Sequence, residues 1–347
     1  MSSAAAAARV YSRDHLLRGF TPQLRAAFAQ ATVSAESGRK RWGIVDPRAS
    51  ALYARALVGA ALLSATLKGE ERAIVQFIGG DDDGVSRLYA EAMAVGEVRA
   101  SAAGKALLGG VRWDGRLRGT FSVTRILYGA ATPVQGIIEA RLGDVEGDLA
   151  EYFERSEQRS ALVRIEAEVD ATSGCIRYAG GALVEAIAEA GGIGSMREAA
   201  SPPSPSSMGA IKDRLKRAPP PYTMLDDDTP ARKDFSFGDL YASGVSLSDA
   251  AMQLVPAFAG ARVVSAAAPA QERAAGALER VPLDFFCRCS KTRFLNQLVR
   301  TLSDVSLDQM LNEAKDGVAA ELSCAFCNAK HGVSSEELRV ARGAVNS

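Results

Sequence analysis

Four cysteines near the C-terminus are the residues in this chain best suited to chemistry. Cys287 and Cys289 lie one residue apart in "CRC", and Cys324 and Cys327 form the second pair in "CAFC". Cysteine thiolates bind zinc at about 2.3 Å in a tetrahedron, and ligands that come in two close pairs are typical of structural zinc sites. The spacing therefore predicts one Zn²⁺ held by all four sulfurs.

The first of these pairs is unusual, because zinc ribbons generally use a C-x-x-C turn on both sides. Zinc holds its sulfur ligands as thiolates, which is also the form that attacks oxidants. Adjacent thiols can pair with each other once oxidised, and such pairing would remove the ligands and release the metal. The pattern thus favours a metal centre that can act as a redox switch.

Two other residues with metal-binding or redox chemistry are predicted to play no part in this centre. His331 follows the second pair, but four cysteines already fill a tetrahedron, so we expect it to lie on the surface or behind the ligands. Cys175 stands alone in the strand-like run "SGCIRYAGG". Lone cysteines of this kind are usually small buried hydrophobes, and we expect Cys175 to be buried and inert.

The overall composition excludes few function classes by itself. The chain has 347 residues, 47% of them hydrophobic, and 41 basic residues balance 41 acidic ones. A chain of this length is sufficient for two or three domains, and its zero net charge predicts neither a nucleic-acid nor a membrane partner. The start, "MSSAAAAARVYSR", lacks the apolar core of a secretory signal. We expect a cytoplasmic protein, with organellar targeting by this extension left open.

The first two thirds of the chain predict an α+β domain. We interpret residues 1–13 as a disordered extension and residues 14–192 as the domain, in which helices are expected at 14–36 and 48–68. Segments such as "RAIVQFIGG" and "GTFSVTRIL" are rich in β-branched residues and end in glycine, which is typical of strands. A further helix is expected at "LAEYFERSEQR".

A change of composition marks a linker at residues 193–280. Its part from 200 to 235 is rich in Pro and Ser and cannot bury enough apolar surface to fold alone. Residues 236–280 regain helix formers and are predicted to be metastable helices. The remaining segment, 281–347, is too small to be stable by apolar burial alone and needs a metal or a cross-link. The zinc site would supply this stabilisation.

The chain resembles the heat shock protein 33 family, redox-regulated holdase chaperones with a C-terminal C-x-C and C-x-x-C zinc centre. The resemblance covers nearly the whole chain from about Asp14. It is carried by motifs in the family's order: "LLSATLKGEERAIVQFIGGD", "GEVRA", "GTFSVTRIL", "EYFERSEQ", "AGGALVE" and "VPLDFFCRCSK".

The resemblance implies a zinc-bound, largely inactive reduced state. On oxidation, especially with heat, the family forms two disulfides, which would be Cys287–Cys289 and Cys324–Cys327 here, loses zinc and unfolds its linker. Exposed apolar surface then binds unfolding client proteins without ATP. The active form is typically a homodimer, and clients pass to ATP-dependent chaperones. The protein is therefore expected not to be an enzyme.

Two alternatives come from the residues around the cysteines. Phe294 has four basic residues near it in the sequence: Arg288, Lys291, Arg293 and Arg300. This pattern also fits a zinc ribbon that binds nucleic acid, in which the basic residues neutralise phosphates and the aromatic ring stacks on a base. Acidic residues soon follow, however, which favours a solvated helix instead. The pair in "CAFC" also fits a thiol–disulfide oxidoreductase, but no thioredoxin-like pattern surrounds it.

Overall fold

A computed structural model describes residues 14–80, 84–187, 205–215, 223–225, 235–273 and 276–345. The interpretation of residues 1–13, and that of most of the Pro/Ser-rich segment 200–235, falls outside these residues. The chain divides into two compact units between Phe285 and Phe286. The predicted α+β class is confirmed.

The first unit contains two sheets and six α-helices among its described residues. Its strands are β1 (His15–Phe20), β2 (Leu24–Gln30), β3 (Arg72–Gly79), β4 (Arg87–Met93), β5 (Glu97–Ala103), β6 (Gly119–Ile126), β7 (Val134–Glu139), β8 (Ala161–Asp170), β9 (Ile176–Ala186), β10 (Thr223–Leu225), β11 (Val263–Ser265), β12 (Leu278–Pro282) and β13 (Asp284–Phe285). Its helices are α1 (Thr32–Trp42), α2 (Pro47–Ser64), α3 (Val145–Arg155), α4 (Pro205–Arg214), α5 (Phe237–Ala242) and α6 (Leu247–Leu254).

The order of the strands brings distant parts of the chain together. One sheet runs β10-β8-β9-β2-β1-β12-β11 and the other runs β13-β5-β4-β3-β6-β7. The pairs β10·β8, β11·β12 and β13·β5 are parallel, and the remaining pairs are antiparallel. Strand β12 from the predicted linker therefore lies beside β1, at the opposite end of the unit's sequence.

Helix α2 lies in the main core, against strands of both sheets. Its first turn is capped by Asp46, whose carboxylate accepts hydrogen bonds from the backbone N–H groups of Arg48 and Ala49, and Pro47 occupies the first position. Every residue from Ala49 to Ser64 is buried. A helix that is apolar on all faces is a core helix, and the helix predicted at 48–68 is confirmed.

The helix predicted at 14–36 is wrong. This segment forms β1 and β2, and only its end belongs to α1. Both faces of the two strands are covered: Leu16 packs in the core that contains α2, whereas Leu17 and Phe28 pack in a second core on the other face. Strands that are buried on both faces lose the polar alternation that would reveal them in the sequence.

The second core joins the predicted linker to the seven-stranded sheet. Sheet residues such as Leu17, Phe28 and Tyr178 pack with Phe237 and Phe258, which follow in the linker. The rings of Phe28 and Phe258 meet edge to face with centroids 6.5 Å apart. The linker is thus docked on the sheet through its described residues.

Helices at 236–280 are only partly confirmed. The segment forms α5, α6 and a 3₁₀ turn at Pro256–Phe258, but residues 263–265 and 278–282 are strands β11 and β12. The composition of "QERAAGALER" suggests helix, yet its last two residues, Glu279 and Arg280, pair with Arg18 and Leu17 of β1. Tertiary pairing here overrides local propensity.

The second unit is small. It consists of α7 (Lys291–Thr301), α8 (Asp304–Asn312), the hairpin of β14 (Val318–Ser323) and β15 (Lys330–Ser334), and α9 (Ser335–Val345). Its buried apolar core comprises Leu295, Val299, Leu307, Val333, Leu338 and Ala341. So few buried side chains leave little margin over the entropy lost on folding.

Among the helices that the structure describes, none combines the length and the apolar character needed to cross a bilayer.

The start of the fold carries a pH-sensitive group. Asp14 is buried, and its carboxylate caps α1 by accepting hydrogen bonds from the backbone N–H groups of Val33 (3.2 Å) and Ser34 (2.6 Å). Burial raises the pKa of Asp14 to about 6 from its usual 3.8, although these hydrogen bonds oppose the rise. Between these two values the folded state binds more protons than the unfolded state.

We therefore expect Asp14 to lower the free energy of unfolding by about 2 kcal/mol as the pH rises from about 4 to about 6. The Asp14→Asn variant should lose this part of the pH dependence, because its amide does not titrate. Urea unfolding at several pH values measures it. Glu154→Gln, which changes an exposed carboxylate on α3, serves as the control, and its free energy of unfolding should vary with pH as in the unaltered chain. The same variation in Asp14→Asn would contradict the role given to Asp14.

Candidate metal centre

The four C-terminal cysteines all lie in the second unit, on two short turns. Cys287 and Cys289 belong to the extended segment that precedes α7, and Cys324 and Cys327 belong to the turn between β14 and β15. Ser290 ends the first segment and caps α7, since its hydroxyl oxygen accepts a hydrogen bond from the backbone N–H of Arg293. Each pair is thus placed by an adjoining regular element.

The second turn closes tightly on its own backbone. The N–H of Cys324 donates to the carbonyl of Ala329, and the N–H of Asn328 donates to the carbonyl of Cys324, both at 2.9 Å. Asn328 adopts a φ of 55°, a left-handed conformation that asparagine tolerates better than most residues. Asn328 was not among the residues predicted to matter; its position directly after the C-x-x-C pair is the signal that points to it.

The thiols converge on one point. Their four sulfur atoms lie within 4.8 Å of one another. The Sγ atoms of Cys287 and Cys324 are 3.7 Å apart, and those of Cys289 and Cys327 are 3.5 Å apart. Four sulfurs at 2.3 Å from a tetrahedral zinc ion would be about 3.8 Å from each other. The donor set therefore fits a tetrahedral metal ion of this size.

Electrostatic repulsion between the four sulfurs, once ionised, favours a bound cation. All four cysteines are free thiols, and the second pair is fully buried. Burial raises the pKa of the Cys289 and Cys327 thiols. It also opposes ionisation of Cys324, but hydrogen bonds from the backbone N–H groups of Phe326 and Cys327 lower the pKa of that thiol overall. Thiolates brought this close repel one another unless a positive ion lies between them.

His331 does not join the cluster. It lies on β15, half-buried, and its ring packs against Phe294 with centroids 5.3 Å apart. Its Nε2 atom is buried without a hydrogen-bond partner among the described residues. The histidine is not one of the residues whose ligand atoms converge, in agreement with the expectation that it lies outside the ligand set.

Cys175 belongs to the first unit, far along the chain from the other thiols. It is half-buried in the turn just before β9, and its Sγ lies 3.6 Å from a carboxylate oxygen of Glu36. Burial and the negative charge of Glu36 raise the pKa of the Cys175 thiol. The prediction of a buried residue is therefore only half right, but the raised pKa disfavours the reactive thiolate.

The basic residues near Phe294 are only partly engaged within the second unit. Lys291 makes an ion pair with Glu337 at 2.6 Å, and the face of Phe294 is in contact with His331. On the same unit, Arg342 pairs with Asp304 and Asp308. Lys291 and the aromatic ring are thus engaged within the protein, whereas Arg293 and Arg300 are exposed on α7.

Comparison with known proteins points to one family. Residues 14–234 and 261–334 match the family described as Hsp33 protein. A 33 kDa chaperonin of Symbiobacterium thermophilum is 30% identical over 95% of this chain and 98% of its own length. That of Syntrophotalea carbinolica is 29% identical over 94% of this chain and 98% of its own.

A solved structure shows the same fold. The crystal structure of the 33 kDa chaperonin (heat shock protein 33 homolog) of Thermotoga maritima superimposes with a TM-score of 0.71 over 97% of this chain and 100% of that one, at 21% identity. The likeness extends across both compact units.

The geometry predicts that the purified, reduced chain binds one divalent metal ion and that Cys289→Ser abolishes this binding. A serine hydroxyl replaces a thiolate ligand, and the second unit should then lose its protection against amide hydrogen exchange while the main core of the first unit, around α2, keeps it. Metal content by atomic absorption and exchange by mass spectrometry are the measurements. Cys175→Ser is the matched control and should bind metal as the unaltered chain does; full metal content in Cys289→Ser would refute the site.

Proposed function

From the premise that the chain belongs to the Hsp33 family, we propose that it is an ATP-independent holdase chaperone switched on by oxidation, and not an enzyme. One observation carries the proposal. Four free thiols converge within 4.8 Å of one another, in a unit whose own apolar core is small. A centre of this kind joins the folding of a whole unit to the redox state of its sulfurs.

We propose zinc as the metal, with Cys287, Cys289, Cys324 and Cys327 as its ligands. An all-sulfur tetrahedral set suits zinc better than the harder cations calcium and magnesium. When bound, zinc supplies folding free energy, on the order of 10–16 kcal/mol in small zinc domains, and keeps the four sulfurs as thiolates. A contribution of this size is comparable to the net stability of a whole domain, about 5–15 kcal/mol.

The proposed oxidation converts the two pairs into the disulfides Cys287–Cys289 and Cys324–Cys327. A thiolate of each pair attacks the O–O bond of a peroxide and becomes a sulfenic acid, while the leaving oxygen takes a proton as water or alcohol. The second thiol of the pair then displaces the hydroxyl group, which leaves as water. Each disulfide thus consumes one peroxide and two thiols, and the four metal ligands are lost.

Loss of the ligands has a direct consequence for the linker. Cys287 is only the fifth residue after Pro282, the end of β12, so unfolding of the second unit reaches, along the chain, the strand next to edge strand β11 of the seven-stranded sheet. The linker is held there by apolar contacts, chiefly those of Phe237, Leu254 and Phe258 in the second core. Its release would expose the sheet residues that it covers, among them Leu17 and Phe28.

We propose that this uncovered surface binds unfolding client proteins, since partly unfolded chains present apolar side chains of their own. Family membership implies such clients. We also propose that the oxidised form is a homodimer, that clients pass on to ATP-dependent chaperones, and that the protein works in the cytoplasm, where reduced thiols are the resting state.

A buried carboxylate strengthens the docked state of the linker. Glu166 on β8 accepts hydrogen bonds from the Ser236 hydroxyl (2.8 Å) and the Gly238 backbone N–H (3.0 Å) at the start of α5. Its other oxygen accepts a hydrogen bond from Arg164 at 2.9 Å. A hydrogen bond to a buried charged group stabilises the folded state more than one between neutral groups does. The hydrogen bonds from Ser236 and Gly238 would be lost when the linker detaches from the sheet.

The decisive test of the proposal is light scattering from a heat-unfolding client, with the protein added reduced and zinc-loaded or after peroxide treatment at raised temperature. We expect suppression of aggregation by the oxidised form alone, together with zinc release and the two adjacent disulfides on peptide mapping. Cys175→Ser should behave identically. Equal suppression by both forms would rule out the switch, and catalytic reduction of insulin disulfides would favour the oxidoreductase alternative.

The contact between the linker and the sheet can be loosened without touching a cysteine. A Cβ on Gly238 would lie 2.1 Å from a carboxylate oxygen of Glu168, a buried side chain that must then move aside, so Gly238→Ala should weaken linker docking by about 1 kcal/mol. We expect faster amide exchange over residues 236–258 and partial client binding by the reduced protein.

The matched control lies in the same linker. A Cβ on Gly209, in α4, meets nothing within 4 Å, and Gly209→Ala should leave docking intact or strengthen it slightly. If both alanine variants show the same exchange over residues 236–258, linker docking does not depend on the approach of Gly238 to the sheet.

A further inference from the structure

A cavity of about 400 Å³ lies within the first unit, between the C-terminal end of α2 and the seven-stranded sheet. Sheet residues Ala27 and Leu183 in its wall belong to the main core, on the face opposite the second core. Its walls come from β1, β2, β9, the end of α2 and the connection between β11 and β12. This volume falls in the range of small-molecule sites.

Both carboxylates that line the cavity already have cationic partners. Glu185 is held by Arg25 through two hydrogen bonds, at 3.0 and 2.6 Å. Glu279 accepts a hydrogen bond from Arg18 at 2.9 Å. Arg18 also donates to the carbonyls of Ala65 and Leu67 at the end of α2. Neither glutamate therefore balances the remaining positive charge of the lining.

That remaining charge belongs to Lys68 and Arg273. The Nε atom of Arg273 is buried, yet it has no hydrogen-bond partner among the described residues. A buried donor left without an acceptor costs free energy, more so on a charged group. The Lys68 side chain is exposed at the rim. The cavity thus contains two cationic side chains, Lys68 and Arg273, that no carboxylate of its lining neutralises.

The rest of the wall is apolar. Leu67 and Leu183 are buried there, and Phe20 lies at the opening with 48% of its surface exposed. An exposed phenylalanine beside buried leucines offers apolar surface to a ligand that enters from solvent. A purely ionic ligand would leave this part of the wall without a partner.

We propose that the cavity binds a small amphipathic carboxylate. Its head group accepts hydrogen bonds from Arg273 and Lys68, and its aliphatic chain lies against Phe20 and Leu67. Because a planar guanidinium presents paired donors to a carboxylate, Arg273 is the specificity-determining residue. The ligand would also tie the connection between β11 and β12 to the end of α2, since Arg273 belongs to the former and Lys68 to the latter.

The test is isothermal titration calorimetry on the full-length, reduced, zinc-loaded protein, with octanoate as the probe. Acetate carries the head group alone and octanol the chain alone. We expect saturable binding of one octanoate per chain, with acetate and octanol each weaker by about tenfold or more. Octanoate should also slow amide exchange in residues 276–282. Neither the calorimetry nor the exchange measurement requires a client protein or oxidation. Their outcome therefore does not depend on whether the proposed redox switch is correct.

Variants separate the site from general charge effects. Arg273→Gln should weaken octanoate binding about tenfold, and Ala277→Phe, which places a large side chain in the wall, should abolish it. Arg262→Gln makes the same charge change at an exposed position outside the cavity and should bind normally. Absence of saturable octanoate binding, octanol binding as tight as octanoate, or equal affinity in Arg273→Gln would each overturn the proposal.

Discussion

Four sulfur atoms within 4.8 Å of one another are the constraint on which the rest of the molecule depends. Their negative charges cannot share that space unless they are protonated, paired with one another or bound to a cation. The hairpin of β14 and β15 and the cap of α7 bring them together beside an apolar core of six buried side chains. In the proposed function, the state of these sulfurs and the folding of the second unit are one equilibrium.

The first unit has two separate cores, as the proposed switch requires. Among the described residues, its main core is built around α2 and contains none from the linker helices, whereas its second core is shared between the sheet and the linker. Separate cores allow one layer to leave while the other stays folded. The Glu166 carboxylate adds polar contacts at the point where α5 begins, so the linker layer has a defined position as well as an apolar attachment.

The sequence predicted those features whose information is local. The metal-binding pattern needs only two short motifs, and α2 needs only a run of apolar residues with no polar face, so both were predictable. Strands β1 and β2 were not, because each is buried on both faces and resembles an apolar helix. The pairing of β12 with β1 joins residues more than 260 positions apart, and no local pattern reveals such a contact. The ligand roles of the four cysteines and the domain boundaries stay predictions.

The spacing of the sulfurs has a topological consequence for oxidation. Two short approaches, 3.7 and 3.5 Å, cross from one turn to the other, joining Cys287 to Cys324 and Cys289 to Cys327. Bonds in that pattern would cross-link segments 37 and 38 positions apart and constrain the unfolded chain. Bonds within each turn would close only very small rings and leave the segment between them free. Disulfides between the turns would thus hold the two segments together, whereas disulfides within each turn would let them separate. The order in which the four sulfurs react decides which pattern forms.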